Sequence, residues 1–217
     1  MKNKWSKILF WLFVLLPFLV SAAFYSRLPA TVATHFDASG APNGYSSREM
    51  AAFGLPAIYF GVTLLVYVMM KIDPKRENIE RSPQMRAVVL WGTAVLFNLV
   101  QAAVLLTAMN IRLNIGAVVG IAVGLLFVGI GNYLPKCKPN YTVGIKLPWT
   151  LASEENWRKT HRFAGPLWIV GGVGIALGSC FWTSGSAAIV IAVAVLVSLV
   201  PAVYSYLIFR REQSNKR

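Results

Sequence analysis

Charged side chains are scarce in this chain. Only 13% of its 217 residues are Asp, Glu, Lys or Arg, against about 25% in a soluble domain, while 56% are hydrophobic. Six stretches hold no charge at all: Ile8–Tyr25, Met50–Met70, Ala87–Met109, Ile115–Leu134, Gly165–Thr183 and Ala187–Phe209. Each can cross a hydrocarbon core of about 30 Å at about 1.5 Å per helical residue. A water-soluble domain is excluded. The expected fold is all-α: a polytopic integral membrane protein with a six-helix transmembrane bundle. The first stretch passes Ser21-Ala22-Ala23, which resembles a cleavage site, but its apolar block runs on through Phe24 and Tyr25, so it is read as a span.

Acidic residues are the scarcer sign, 8 against 21 basic, for a net charge of +13. On an alternating six-span path every basic residue except Arg27, Arg48 and Arg112 falls on one side. The positive-inside rule makes that side the cytoplasm, holding both termini and the largest loop. Topology thus accounts for the basicity, and the expected partner is a lipid bilayer, not nucleic acid.

Cysteine and histidine are nearly missing. Cys137 falls in the inner loop and Cys180 toward the outer end of the fifth span, so they should not form an intrachain disulfide. His35 lies outside and His161 inside, which excludes a metal site or proton relay shared between them. No metal or other cofactor is expected.

What the chain does hold is a long polar interruption, Gly131–Gly165, GNYLPKCKPNYTVGIKLPWTLASEENWRKTHRFAG. Its cations Lys136, Lys138, Lys146, Arg158, Lys159 and Arg162 are interleaved with Tyr133, Tyr141, Trp149, Trp157 and Phe163, a mixture suited to a membrane surface. Pro135, Pro139 and Pro148 predict an irregular first half. In the second half Ser153 is placed as an N-cap, Glu154 and Glu155 meet the positive end of the dipole, and Glu154–Arg158 and Glu155–Lys159 are spaced as i,i+4 pairs. Trp157, His161 and Ala164 share a face, and Gly165-Pro166 is expected to close a short amphipathic helix lying on the membrane.

The runs Gly131-Asn132-Tyr133, Pro139-Asn140, Gly144-Ile145, Pro148-Trp149-Thr150-Leu151, Ser153-Glu154-Glu155-Asn156-Trp157 and Thr160-His161-Arg162 resemble the signature of the SdpI family. These are bacterial membrane proteins giving immunity to a sporulation-delaying peptide toxin. Leu28-Pro29, His35-Phe36, Gly40 and Pro42 resemble the module of unknown function that often precedes it. The resemblance implies a multi-pass protein of the bacterial cell (inner, cytoplasmic) membrane that confers resistance to a secreted antimicrobial peptide toxin. Some members of the family also hold a cytoplasmic repressor at the membrane in signal transduction, which makes such a repressor a candidate partner. Carried onto this chain, the outer loop with His35 and Asp37, or the outer halves of the spans, would meet the toxin. Asn132, Tyr133, Asn140, Trp149, Thr150, Glu154, Glu155, Trp157, His161 and Arg162 would serve the partner within. The chain then divides into a first hairpin, 1–70, with an outer loop at 26–49; a second hairpin, 71–134; the signature loop, 135–164; and a third hairpin with a basic tail, 165–217.

Other features keep two readings each. His35 and Asp37 either bind a cation or a charged peptide group or shape their own loop, where alternation of Val32, Thr34 and Phe36 predicts an extended piece before a turn at Ala41–Gly44. Ser46–Glu49 matches a capping box, and Pro56 predicts a kink. Asn98 and Gln101 share a face, as interhelical glue or as lining for a solute path. Gly116, Gly120 and Gly124, with Gly174 and Gly178, form close-packing stripes for the bundle or for a dimer, which leaves the oligomeric state open.

Ser153, Glu154 or Glu155, and His161 are the residue types of a hydrolytic triad, but about 12 Å of helix separates Ser153 from His161, so no enzyme is expected. A transporter or channel for a small solute is the alternative function, weakened by the lack of any intramembrane carboxylate or cation.

Overall fold

A computed structural model describes residues 4–37, 40–182 and 186–214. Six of its helices are long and apolar enough to cross a membrane. They are α1 (Lys4–Phe24), α2 (Leu55–Ile72, entered through a π-helical turn at Met50–Gly54), α4 (Pro83–Ala108), α5 (Ile115–Tyr133), α7 (Glu154–Phe181) and α8 (Ser186–Ser214). Two short helices, α3 (Arg76–Glu80) and α6 (Pro148–Ala152), lie between spans. The protein is a multi-pass, six-helix membrane bundle. The outer link expected at Ser184–Ser186 falls largely outside the described residues, as do the basic residues Lys2, Lys216 and Arg217.

The bundle has two halves. Helices α1, α2 and α4 pack together, α5, α7 and α8 pack together, and α4 against α5 is the main seam between them. The tightest pair is α5 with α7, which run antiparallel through small residues. A Cβ added at Gly131 would come 2.8 Å from the Gly165 carbonyl, and one at Gly124 would come 2.5 Å from the Gly172 carbonyl. The stripe on α7 is therefore Gly165, Gly172 and Ser179, spaced by one heptad, not the expected Gly174 and Gly178. Gly174 has nothing within 4 Å, and Gly178 faces Ile189 of α8.

Of the four prolines inside span helices, Pro17, Pro56 and Pro201 lie deep enough that the backbone carbonyl each orphans is not relieved by water. In each case a side chain from another helix supplies the donor. Pro17 cannot serve the Phe13 carbonyl, and Asn98 Nδ2 donates to it at 3.2 Å. In the π turn the Leu55 N–H reaches back to Met50, so the next carbonyl, Ala51, falls to Pro56 and has no backbone donor; Gln101 Nε2 donates to it at 2.9 Å. Pro201 frees the Val197 carbonyl, which accepts from Trp168 Nε1 at 3.0 Å. Asn98 and Gln101 are thus interhelical glue, with Gln101 also donating to Ser21 Oγ at 2.9 Å. The disruption expected at Pro56 takes the form of the π turn just before it.

Between α1 and α2 the chain forms an antiparallel hairpin, β1 (Thr31–Phe36) with β2 (Pro42–Ser47). Val32 is buried beside Leu28, Ala51, Ala52, Val104 and Leu105, which docks the hairpin on the ends of α2 and α4. The turn comes earlier than expected. Asp37 and Ala41 are bonded to each other, Gly40 takes φ +83, and Pro42 already belongs to β2. The cap also shifts by one residue, since Ser47 Oγ, not Ser46, accepts the Met50 N–H at 3.2 Å.

The largest departure concerns the expected surface helix. Helix α7 does not stop at Gly165-Pro166 but runs unbroken from Glu154 to Phe181. Pro166 removes one donor while its φ suits a helix. Gly165 lets α7 press against Pro135 and Gly131, where any Cβ would collide. The face of Trp157, His161 and Ala164 is buried in protein, so the helix is an extension of the fifth span and does not lie on the membrane.

Candidate functional site

The segment between α5 and α7 folds as a small polar knot under the bundle. After a 3-10 turn at Leu134–Lys136 the chain is irregular until α6. Asn140, 1% exposed, organises this stretch: its Oδ1 accepts from Val143 N at 2.6 Å and Thr142 N at 3.0 Å, while Nδ2 donates to the Lys138 carbonyl at 2.8 Å. Thr150 does the same at the entry to α6, accepting from Leu147 N at 2.9 Å with its hydroxyl 2.8 Å from the Ile145 carbonyl.

Two walls clamp the knot. On one side are α3 and the turn that leads into it from α2. There the buried Asp73 accepts from Tyr141 N at 2.9 Å and from the Thr142 hydroxyl at 2.6 Å, and Asn78 Nδ2 donates to the Pro139 carbonyl at 2.7 Å. On the other side is the first part of α7, where Trp157 and His161 stack with ring centroids 4.0 Å apart. Trp157 Nε1 donates to the Cys137 carbonyl at 2.7 Å. The Ile145 N–H donates to His161 Nε2 at 3.0 Å, so that nitrogen carries no proton; Nδ1 holds it and donates to the Trp157 carbonyl at 2.8 Å. The imidazole is neutral and in one tautomer. Gly144, at φ +116, passes over these rings where a Cβ would come 2.5 Å from His161 Nε2. Glycine is required there.

A third layer ties α7 to α8. Asn156 Nδ2 donates to the Ser205 carbonyl at 2.9 Å and Thr160 Oγ1 to Asn156 Oδ1 at 3.0 Å, both fully buried. Trp149 Nε1 donates to Ser205 Oγ at 2.7 Å, and Ser153, the expected N-cap, accepts from Asn156 N at 3.1 Å and donates to Glu212 at 3.2 Å. Ser153 and His161 are therefore both committed to structure. Glu155–Lys159 closes at 2.7 Å, whereas Glu154 forms no ion pair with Arg158 among the described residues. Burial pushes the Cys137 thiol up to about 11, and both cysteines are free.

The residues singled out from the sequence thus separate. Asn140, Thr150, Trp157 and His161 are buried, Tyr133 and Trp149 half-buried, and Asn132, Glu154, Glu155 and Arg162 exposed. His35 and Asp37 lie at the opposite end, exposed on the hairpin, where His35 Nδ1 is 2.6 Å from Asn43 Oδ1 and Asp37 Oδ1 accepts from Ala41 N at 3.0 Å. Sequence reasoning missed Asp73, Asn78, Thr142 and Ser205, and quoted Asn156 and Thr160 only as part of the signature without giving them a role. The visible signals were the signature runs holding Asn156 and Thr160 and the hydroxyl of Ser205 within an apolar block.

Beside the hairpin an apolar cleft of about 320 Å³ opens between the two halves of the bundle. Val100 and Val104 of α4, Val119 and Val123 of α5 and Val190 of α8 line it, and His35 and Asp37 lie at its edge.

Fold and site together define a multi-pass helical membrane protein whose largest inter-span segment is folded against the bundle. Residues 136–205 match the SdpI/YfhL protein family, from the start of the knot to Ser205, and residues 12–60 match a domain of unknown function, DUF1648. The chain is 27% identical over 190 residues to the Immunity protein SdpI of Bacillus subtilis (strain 168), covering 86% of this chain and 87% of the relative. It carries the SdpI/YfhL family region that its loop resembles. No solved structure matches it.

Proposed function

We propose that this chain is an immunity protein of the bacterial cell membrane, protecting its host from a secreted peptide toxin. Likeness to an immunity protein along most of both chains supports the activity. The basic residues at one end of the bundle support an orientation with the termini and the knot in the cytoplasm.

The observation that carries the site is the apolar cleft at the seam between the halves, with polar groups only at its edge. An apolar stretch of peptide would enter among Val100, Val104, Val119 and Val190, and His35 and Asp37 would meet its polar part. Binding at a seam favours one arrangement of the two halves if the peptide fits that arrangement better. At the other end the exposed Asn132, Glu154, Glu155 and Arg162, with the edges of Tyr133 and Trp149, would contact a cytoplasmic repressor. Asn140, Thr150, Trp157 and His161 would hold that surface in shape. Transport is less well served, because Gln101 spends both amide protons outside its own helix and Asn98 divides its own between the Phe13 carbonyl of α1 and the Ala94 carbonyl of α4.

The test is survival of toxin-sensitive cells expressing the parent, Val119→Trp, or Trp157→Ala with His161→Ala, at matched abundance. The parent protects and the cleft-filling variant does not. Equal protection by Val119→Trp removes the cleft from the reading, equal protection by the double variant removes the knot, and no protection by the parent overturns immunity to that toxin.

A further inference from the structure

At the end of the bundle that carries the knot, a second and narrower cleft lies among α1, α2, α3 and α4, lined by residues not assigned a role above. Lys7 of α1, Lys71 of α2 and Arg86 of α4 converge on it, with Glu80 of α3. Its apolar lining is Met70, Ile79 and Leu90, all buried, with Tyr67. None of the three cations has an ion-pair partner among the described residues, whose pairs are Arg48–Glu49, Arg81–Glu77 and Lys159–Glu155. Like charges from three separate helices are held at one mouth with a single carboxylate among them. Lys7 and Lys71 are exposed and Arg86 half-buried, so water screens their mutual repulsion, while an anion placed among them is attracted by all three.

Its depth identifies the kind of anion. One turn further into the spans the aromatics of the same helices interlock: Phe10 meets Trp91 at 5.1 Å, and Trp11 meets Tyr67 at 5.3 Å. Cations just outside a layer of aromatic rings mark the headgroup level of a bilayer. Basic pockets between spans at that level suit lipid phosphates.

We propose that this cleft binds the phosphate of an anionic phospholipid, with Lys7, Lys71 and Arg86 as its ligands. The cleft holds about 30 Å³, room for a phosphoryl oxygen but not a headgroup, so the phosphate sits at the mouth and the acyl chains start down the apolar wall. Glu80 disfavours a bare inorganic dianion and can accept from a headgroup hydroxyl, which makes phosphatidylglycerol the fitting class.

Native mass spectrometry of the full chain in detergent tests this with phosphatidylglycerol, phosphatidylcholine or inorganic phosphate added. The parent retains phosphatidylglycerol over phosphatidylcholine. Lys7→Gln, Lys71→Gln and Arg86→Gln together lower that retention roughly a hundredfold, while Lys138→Gln, Lys159→Gln and Arg162→Gln, which remove equal charge elsewhere, leave it. Lys71→Gln alone, at the exposed end of α2, gives a smaller loss of the same sign and keeps the test valid if the triple variant misfolds. Equal losses in the two triple variants, equal retention of the two lipids, or full displacement by inorganic phosphate would each overturn the proposal.

Discussion

Gln101→Leu should destabilise the bundle through a carbonyl that no helix of its own can satisfy. Gln101 is 1% exposed and donates both amide protons, to Ser21 Oγ and to the Ala51 carbonyl, each at 2.9 Å. Leucine nearly fills the same volume, so the cavity term is small. Two interhelical bonds at about 0.6 kcal/mol each, plus an orphaned buried carbonyl at about 1–3 kcal/mol, give a loss of about 2–4 kcal/mol. Removal of Gln101 Oε1, itself buried without a partner, offsets part of this and favours the lower end. The decisive comparison is Gln101→Leu in a Pro56→Ala background. Alanine restores an N–H that can serve Ala51, so the orphan disappears and the substitution should cost only about 1 kcal/mol. Reversible unfolding in mixed detergent micelles gives the four stabilities. Costs equal in the two backgrounds to within about 0.5 kcal/mol would refute the linkage between Gln101 and Pro56.

Two further outcomes follow from packing and burial. Gly172→Leu drives a side chain into the backbone of α5 and should abolish the folded peak in size-exclusion chromatography; Gly174→Ala, two residues away in open space, should be neutral or stabilising by up to about 1 kcal/mol. With its thiol pushed up to about 11, Cys137 should be about one part in a thousand thiolate at pH 8. In a Cys180→Ser variant it should resist maleimide until the protein is denatured. Because the thiolate fraction rises with pH, labelling of folded protein at pH 8 would show that the knot is open.

The spans were readable because membrane crossing imposes a length and a lack of charge, both visible along the sequence. Their ends were less so. Lys4 and Arg210 continue helices that the apolar blocks mark only from Ile8 and to Phe209. The Ser153 cap was also legible, being set by residues three apart. Gly165-Pro166 misled because the same dipeptide that ends an isolated helix permits close packing inside a bundle. The clamp on the knot was hidden for another reason. Asp73 and Asn78 meet Tyr141, Thr142 and Pro139 across more than sixty residues, and no local spacing records such a meeting. Trp157 and His161 were singled out correctly as a shared face, but whether a face meets lipid, partner or its own chain is decided by tertiary packing.

The proline-freed carbonyls bear on how such a chain is made. Helices α1 and α2 leave the ribosome before α4, so the carbonyls of Phe13 and Ala51 enter the bilayer with no donor of their own and wait for Asn98 and Gln101. Trp168 is made before Pro201, so the last span arrives to find its donor already in place. The N-terminal half of the molecule is therefore complete only after its third span has inserted, whereas the C-terminal half can close as each span is delivered.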